Sequence, residues 1–389
     1  MNHFEYRNGE MFAEEVPLKR IAREVGTPAY VYSLATLKRH YQVFDQAFAK
    51  VPHIVCFSVK ANSNLALLRA FAKQGSGFDI VSGGELFRAL KAGGDPKKIV
   101  FSGVGKKKQE IEYALDAGIL MFNVESDEEL TALNEIAAGA GKRAPISLRV
   151  NPDVDPQTHP YISTGMKKAK FGVDIKKSLE TYKRAVGLPH IDVVGVDCHI
   201  GSQLTSLTPF VDALAKVREY LDRVLAGEMQ KEGARIRYLD LGGGLGIRYN
   251  DETPPVPDEY AKVIREGVEG LDVTLILEPG RVIVGNAGIL LTEVQYIKET
   301  DTKKFVIVDA GMNDLIRPAL YGSYQAIRPV LESKAESIVA DVVGPICESG
   351  DFFAKDREIA RPLRNDLLAV MSAGAYGFTM ASNYNSHPK

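Results

Sequence analysis

Short β-branched and aromatic runs alternate, over the first two thirds of the chain, with stretches whose apolar residues recur at helical spacing. The strand-like runs are Ile54–Ser58, Gly77–Val81, Ile99–Ser102, Met121–Glu125, Ile146–Asn151, Val193–His199, Ile236–Leu241 and Val273–Glu278. Between the first two, the stretch from Asn64 to Gly75 is apolar on one face and stops at a glycine, as helices do. Ser126-Asp-Glu-Glu129 reads as a capping box opening a later helix. Eight strand–helix repeats predict a (β/α)8 barrel, with an open doubly wound sheet as the structural rival. Beyond Arg281 the texture changes. Val282–Ile297, Lys304–Asp309, Ser337–Val343 and Leu367–Ser372 are β-rich, with little helical material between them. The expected chain is therefore α/β: a barrel over 27–281, and an antiparallel β domain over 282–389 that also takes in 1–26.

Composition narrows the class without changing that picture. At 389 residues the chain exceeds what one core usually supports, so two domains are expected. A formal net charge of -2 gives no sign of a nucleic-acid or anionic-membrane partner. Cys56, Cys198 and Cys347 are too few and scattered for a disulfide framework or a zinc site, and such usage suits a reducing cytosol. The first seven residues lack the basic-then-apolar order of a signal peptide, and no apolar run approaches the roughly 20 residues that span a bilayer. A cytoplasmic protein without a metal centre is expected.

Candidate chemistry collects at strand ends. Lys60 follows the first run, His199 closes the sixth, Gly242-Gly243-Gly244 follows the seventh and Glu278 ends the eighth. In α/β barrels the active site lies at the carboxyl ends of the strands. A lysine pressed toward an apolar interior loses its charge readily and can form a Schiff base, although a lysine just past a strand is commonly a solvated loop residue. The glycine triplet lets backbone N–H groups approach an anion, or simply makes a tight turn. Glu278-Pro279-Gly280-Arg281 sets a carboxylate beside a guanidinium, which on a turn can also be a surface ion pair. An amine, a phosphate cradle and an acid at one mouth are what pyridoxal phosphate requires.

In these segments the chain resembles the barrel-type pyridoxal-phosphate-dependent decarboxylases. The matching stretches are Phe57-Ser-Val-Lys60-Ala-Asn, Phe78-Asp-Ile-Val-Ser-Gly-Gly-Glu85-Leu, Arg149-Val-Asn-Pro152, Lys170-Phe-Gly172 and His199-Ile-Gly-Ser-Gln203. They continue with Leu241-Gly-Gly-Gly244, Glu278-Pro-Gly-Arg281, Arg317-Pro-Ala-Leu-Tyr321, Gly344-Pro-Ile-Cys347-Glu-Ser-Gly-Asp351 and Gly374-Ala-Tyr376, in the family's order. The resemblance implies that Lys60 holds the cofactor as a Schiff base, that His199 stacks on its ring and that Glu278 faces its pyridine nitrogen. Ser202, Gly242 to Gly244, Pro279, Gly280, Arg281 and Tyr376 would surround the phosphate. Cys347 resembles the family's proton donor, reaching in from the partner of a homodimer. Arg281, Arg317 and Tyr321 would hold a distal carboxylate, Glu348 its neighbouring amino group, and Tyr376 would lie near both cofactor and substrate.

The activity so implied is decarboxylation of meso-2,6-diaminopimelate at its D centre to L-lysine. Ornithine, arginine or carboxynorspermidine are the alternative substrates, and Arg317 would repel the terminal amine of ornithine. A racemase of the same plan usually faces the pyridine nitrogen with arginine, against which Glu278 argues. A non-catalytic relative would have little use for Lys60, Glu278 and Cys347 together. Two departures stand out. Asp197 occupies a position where the family often has histidine, and the sequence stops at Lys389, where relatives continue with a β segment that bears on dimer stability.

Overall fold

The computed structural model describes residues 2–155, 158–159, 162, 164–165, 170–226 and 236–388. The chain divides into two compact units. One comprises Tyr41–Gly246 and Thr253–Gly280; the other comprises Met1–His40, Ile247–Glu252 and Arg281–Lys389.

The first unit is the barrel. Its strands are His53–Ser58, Gly77–Ile80, Ile99–Phe101, Met121–Val124, Ala144–Asn151, Ile191–Asp197, Tyr238–Asp240 and Thr274–Leu277. Each pairs in parallel with the next, and the eighth pairs with the first. That closure rules out the open sheet. Several strands stop a residue or two before their expected ends, so Glu125, His199 and Glu278 stand just past the ladder. Helix Leu65–Ala72 opens where Asn64 accepts the Ala66 N–H at 2.9 Å. At helix Asp127–Gly139, Ser126 Oγ accepts the Glu129 N–H at 3.2 Å, as a cap should. The Glu129 carboxylate, however, takes the N–H of Glu125 at 3.0 Å rather than that of Ser126, so the expected capping box is only half realised.

Strand periodicity explains how the barrel carries a polar layer. Cys56, Val100, Met121 and Ile276 belong to one buried apolar cluster. Side chains two residues further along a strand share the same face. Those positions are Ser58, Ser102, Asn123 and Glu278, all of them buried polar groups. The barrel core is thus greasy below and polar at its carboxyl-end mouth.

The second unit is built on the long strand Gly288–Glu299. It pairs antiparallel with Ala29–Tyr32, Lys304–Val308 and Leu367–Val370. Ile327–Pro329 and Phe352–Ala360 extend the sheet. Lys304–Val308 runs parallel to Ser337–Val343, so the sheet is mixed where a wholly antiparallel one was expected. Residues 309–336 form the crossover that a parallel pair requires. The N-terminal segment joins this unit, with a three-stranded sheet over residues 4–17 followed by the strand Ala29–Tyr32. Two apolar clusters form its core, one around Val306, Val308 and Phe353, the other around Met11, Leu18 and Ile289. Residues Arg281–Val284, partly expected as strand, make a helical turn. No helix among the described residues is long and apolar enough to cross a membrane.

Candidate active site

The first strand delivers Lys60 to the barrel mouth, where its Nζ forms an ion pair with Asp79 Oδ2. Asp79 is fully buried on the second strand, so its attraction for a cation is less screened by solvent than at the surface. Ser58 Oγ lies 2.8 Å from Asp79 Oδ2 and 2.9 Å from the Glu278 carbonyl oxygen, which ties the first, second and eighth strands together. Glu85 flanks this pair. It accepts the Val81 N–H at 2.7 Å, and burial, reinforced by repulsion from Asp79, pushes its carboxyl up to about 7.

Glu278 is 4% exposed, and its Oε1 has no hydrogen-bond partner among the described residues. Burial raises its pKa well above the ordinary range, with Asp240 and Asp79 repelling its charge and Lys60 opposing them. Asp240 is anchored from both sides: Oδ1 accepts the Gly242 N–H at 2.9 Å and Oδ2 accepts Asn123 Nδ2–H at 3.1 Å. Burial still pushes Asp240 up to about 6. Nearby, Arg149 Nη1 donates to Glu125 Oε1 at 2.9 Å, while its Nε sits 3.7 Å from Asp197 Oδ2. Burial, then repulsion from Asp240, raises the pKa of Asp197, the departure noted in the sequence, well above the ordinary carboxylate range, and Arg149 opposes them.

His199 Nδ1 accepts the Gly243 N–H at 3.1 Å. Burial, then the charges of Arg149 and Lys60, hold the imidazole neutral, so its remaining proton is on Nε2. The glycine triplet proves indispensable on steric grounds. A Cβ at Gly242 would stand 2.1 Å from His199 Nδ1, one at Gly243 2.3 Å from the Glu278 carbonyl, and one at Gly244 2.8 Å from the Gly201 carbonyl. Gly242 and Gly244 also have φ of +62° and +113°. The loop carrying Ser202 lies against this turn, because the Leu204 N–H donates to the Gly244 carbonyl at 2.9 Å. At Gly280 a Cβ would press within 3.0 Å of Ala61, so the Pro279-Gly280 backbone lies close against the segment that bears Lys60.

The second unit holds a cationic cluster. Arg281 and Arg317 are 4% and 5% exposed. Arg281 donates to Tyr249 Oη at 2.8 Å and lies 4.8 Å from the Tyr376 ring centroid. Arg317 lies over the rings of Tyr249 and Tyr321, at 5.2 and 5.5 Å. Burial outweighs the help of the Tyr249 phenol and lowers the Arg317 pKa, and Arg281 adds repulsion. Arg317 Nε is buried without a partner, and no acid neighbours this guanidinium among the described residues. Buried cations are ordinarily paired. A caged guanidinium lacking its acid has the chemistry to accept an anion supplied from outside. Cys347 and Glu348 stand apart from this cluster, exposed on the turn between Ser337–Val343 and Phe352–Ala360.

These residues fit pyridoxal phosphate on their own chemistry: an amine at a strand end, a buried carboxyl oxygen without a partner, and a turn that admits no side chain. Sequence reasoning named Lys60, His199, the glycines and Glu278, but assigned nothing to Asp79, Glu85, Asp240, Glu125, Arg149 or Tyr249. For the strand residues Asp79 and Asp240 the available signal was a charge at an inward register position. Tyr249 had no comparable signal, since it sits in irregular chain after the glycine loop.

Residues 34–285 match the family model described as "Pyridoxal-dependent decarboxylase, pyridoxal binding domain". The chain is 58% identical over 386 residues to the diaminopimelate decarboxylase of Pseudomonas aeruginosa, covering 99% of this chain and 92% of that protein. Among solved structures, it superposes on diaminopimelate decarboxylase from Helicobacter pylori complexed with L-lysine, with a TM-score of 0.91 at 45% identity over 96% and 92% of the two chains. The corresponding enzyme from M. jannaschii, in co-complex with L-lysine, gives a TM-score of 0.92 at 41% identity over 98% and 90%.

Proposed function

This chain belongs to the pyridoxal-dependent decarboxylases, and from that premise we propose that it removes CO₂ from the D centre of meso-2,6-diaminopimelate to give L-lysine, closing lysine biosynthesis. The observation that carries the substrate assignment is Arg317, a buried guanidinium without an acid, which suits a carboxylate at the non-reacting end of the substrate. A diamine-forming relative would have to place an ammonium against that charge. The names of the relatives, and the lysine bound in two of the solved structures, support the same reading.

Pyridoxal phosphate supplies the electron sink that lets a carboxylate leave as CO₂. Lys60 would hold it through Nζ, His199 would stack on its ring and Glu278 would meet its ring nitrogen. Ser202, Gly242 to Gly244, Pro279, Gly280, Arg281 and Tyr376 would surround its phosphate. Asp79 pairs with the Lys60 amine and so orients Nζ at the barrel mouth. Arg281, Arg317 and Tyr321 orient the distal carboxylate, and Glu348 the distal ammonium. When the C–C bond to the departing carboxyl breaks, its electron pair stays with the substrate. The Cys347 thiol gives its proton to that carbon, and solvent restores the thiol.

The exposed position of Cys347 and Glu348 is consistent with a homodimer in which each protomer completes its partner's site. Free cysteines are consistent with a cytoplasmic location. The test of the reaction is CO₂ release from meso-diaminopimelate, ornithine, arginine and carboxynorspermidine at equal concentration. Turnover confined to diaminopimelate is expected; preference for ornithine would overturn the assignment.

A further inference from the structure

Two consecutive residues near the end of the described chain grip two consecutive residues of the cysteine turn. The Cys347 N–H donates to Asn385 Oδ1 at 2.8 Å, and the neighbouring Glu348 carboxylate raises the pKa of the Tyr384 phenol. We propose that Tyr384 and Asn385 are positioning residues that hold the Cys347–Glu348 turn in its working geometry. This rests on the roles proposed above for Cys347 and Glu348.

The base of the turn is secured from within. Asp351 accepts the Ile346 N–H with Oδ2 at 2.7 Å and the Met312 N–H with Oδ1 at 2.6 Å. The Glu348 N–H bonds to the Ile346 carbonyl at 2.7 Å, and the Asp351 N–H to the Glu348 carbonyl at 3.0 Å. The Cys347 N–H is satisfied instead from the distant segment, through Asn385. That segment is itself anchored: the Ser382 N–H donates to the Asn313 carbonyl at 2.8 Å, and the Ser386 N–H to the Asn383 carbonyl at 2.9 Å. Asn385 has φ of +52°, a left-handed conformation that asparagine tolerates better than other side chains apart from glycine. Backbone and side chain therefore both select asparagine there. Its oxygen, rather than its nitrogen, must face Cys347, because the partner is an N–H donor.

The two contacts have separable consequences. Asn385 fixes the backbone that carries the thiol, so its loss should fall on proton delivery. Tyr384 fixes the carboxylate that meets the substrate ammonium, so its loss should fall on binding. A misplacement of about 1 Å can cost on the order of 10²-fold in rate.

The experiment compares Asn385→Gly, Asn385→Asp, Tyr384→Phe and Cys347→Ala as holoenzymes. Glycine keeps the left-handed backbone and deletes the acceptor, whereas aspartate restores it. Asn385→Gly should lower kcat by about tenfold or more with little change in KM, and Asn385→Asp should recover most of that loss. Tyr384→Phe should raise KM several-fold and leave kcat nearly unchanged. Iodoacetamide alkylation gives a readout independent of turnover, because Cys56 and Cys198 are buried and only Cys347 is exposed. Its rate should rise in Asn385→Gly and return in Asn385→Asp. If Cys347→Ala is inactive while Asn385→Gly keeps full kcat and an unchanged alkylation rate, the clamp is refuted. Equal losses in the glycine and aspartate variants, with alkylation unchanged, would also refute it. An active Cys347→Ala would instead defeat the proton-donor reading, and the alkylation rates would still decide whether Asn385 restrains the turn.

Discussion

Replacing Arg317 with methionine should separate stability from function. The guanidinium is 5% exposed, and no acid neighbours it among the described residues. Methionine keeps much of the apolar stem and deletes the buried charge. The lost terms are two cation–π contacts, to Tyr249 at 5.2 Å and Tyr321 at 5.5 Å, worth about 0.5–2 kcal/mol each. The recovered term is the desolvation of an unpaired cation, several kcal/mol in a dry site, together with relief of repulsion from Arg281. These nearly offset, so the ligand-free protein should change by less than about 2 kcal/mol, in either direction. Substrate binding has no such offset. A distal carboxylate left without its charged fork should lose roughly 2–5 kcal/mol, which at ~1.4 kcal/mol per tenfold is about 30- to 4000-fold in kcat/KM. The assays are thermal or urea unfolding of the cofactor-free protein, absorbance of the bound cofactor, and diaminopimelate turnover on the same preparation. Unchanged kcat/KM would refute the carboxylate role. A collapse of stability would mean that Arg317 is structural.

Three further outcomes are expected. Borohydride reduction of the holoenzyme and peptide mapping should place the pyridoxyl label on Lys60; a label on another lysine would end that assignment. Mixing inactive Lys60→Ala and Cys347→Ala proteins should restore partial activity through hybrid dimers, and no recovery after demonstrated subunit exchange would mean that each chain builds its own site. Glu85 supplies a pH signature: its carboxyl is raised from 4.5 to about 7 in the folded state, so its favourable contribution is complete below 4.5 and is lost as pH rises through 7. Glu85→Gln should therefore gain stability relative to the parent between pH 5 and pH 8, by about 1–2 kcal/mol after solvent screening, in urea titrations of the cofactor-free protein. A difference that is flat with pH would contradict the assignment.

The barrel was legible because each strand is a short β-branched run, and buried parallel strands advertise themselves that way. Lys60 and Glu278 were legible for a related reason, as charges at the ends of such runs. Strand Phe352–Ala360 was not, since charges at Lys355, Asp356, Arg357 and Glu358 break its pattern on the exposed side. The turn Arg281–Val284 hid inside an expected strand because Val-Ile-Val favours extended chain, and tertiary context overrode that preference. The parallel pairing of Lys304–Val308 with Ser337–Val343 leaves no local trace, because direction is set by where a distant crossover returns the chain. Asp79 and Asp240 each had only a single polar letter within a strand. Their meaning depends on neighbours brought together by barrel closure.

That one parallel pair has an evolutionary corollary. An antiparallel hairpin can be closed by two residues and offers little chain to vary, whereas a parallel return obliges the polypeptide to spend a long excursion. Here the excursion spans 309–336 and contains Arg317 and Tyr321, while its two flanking strands are pinned into the sheet at both ends. Within it only Ile327–Pro329 joins the sheet, so insertions, deletions or replacements confined to the part before that strand leave the ladder untouched. A lineage changing the preferred amino acid could therefore rewrite that part alone, keeping the glycine turn and Lys60. Chimaeras that graft the corresponding part from a diamine-forming relative should fold, and should carry the donor's preference with them.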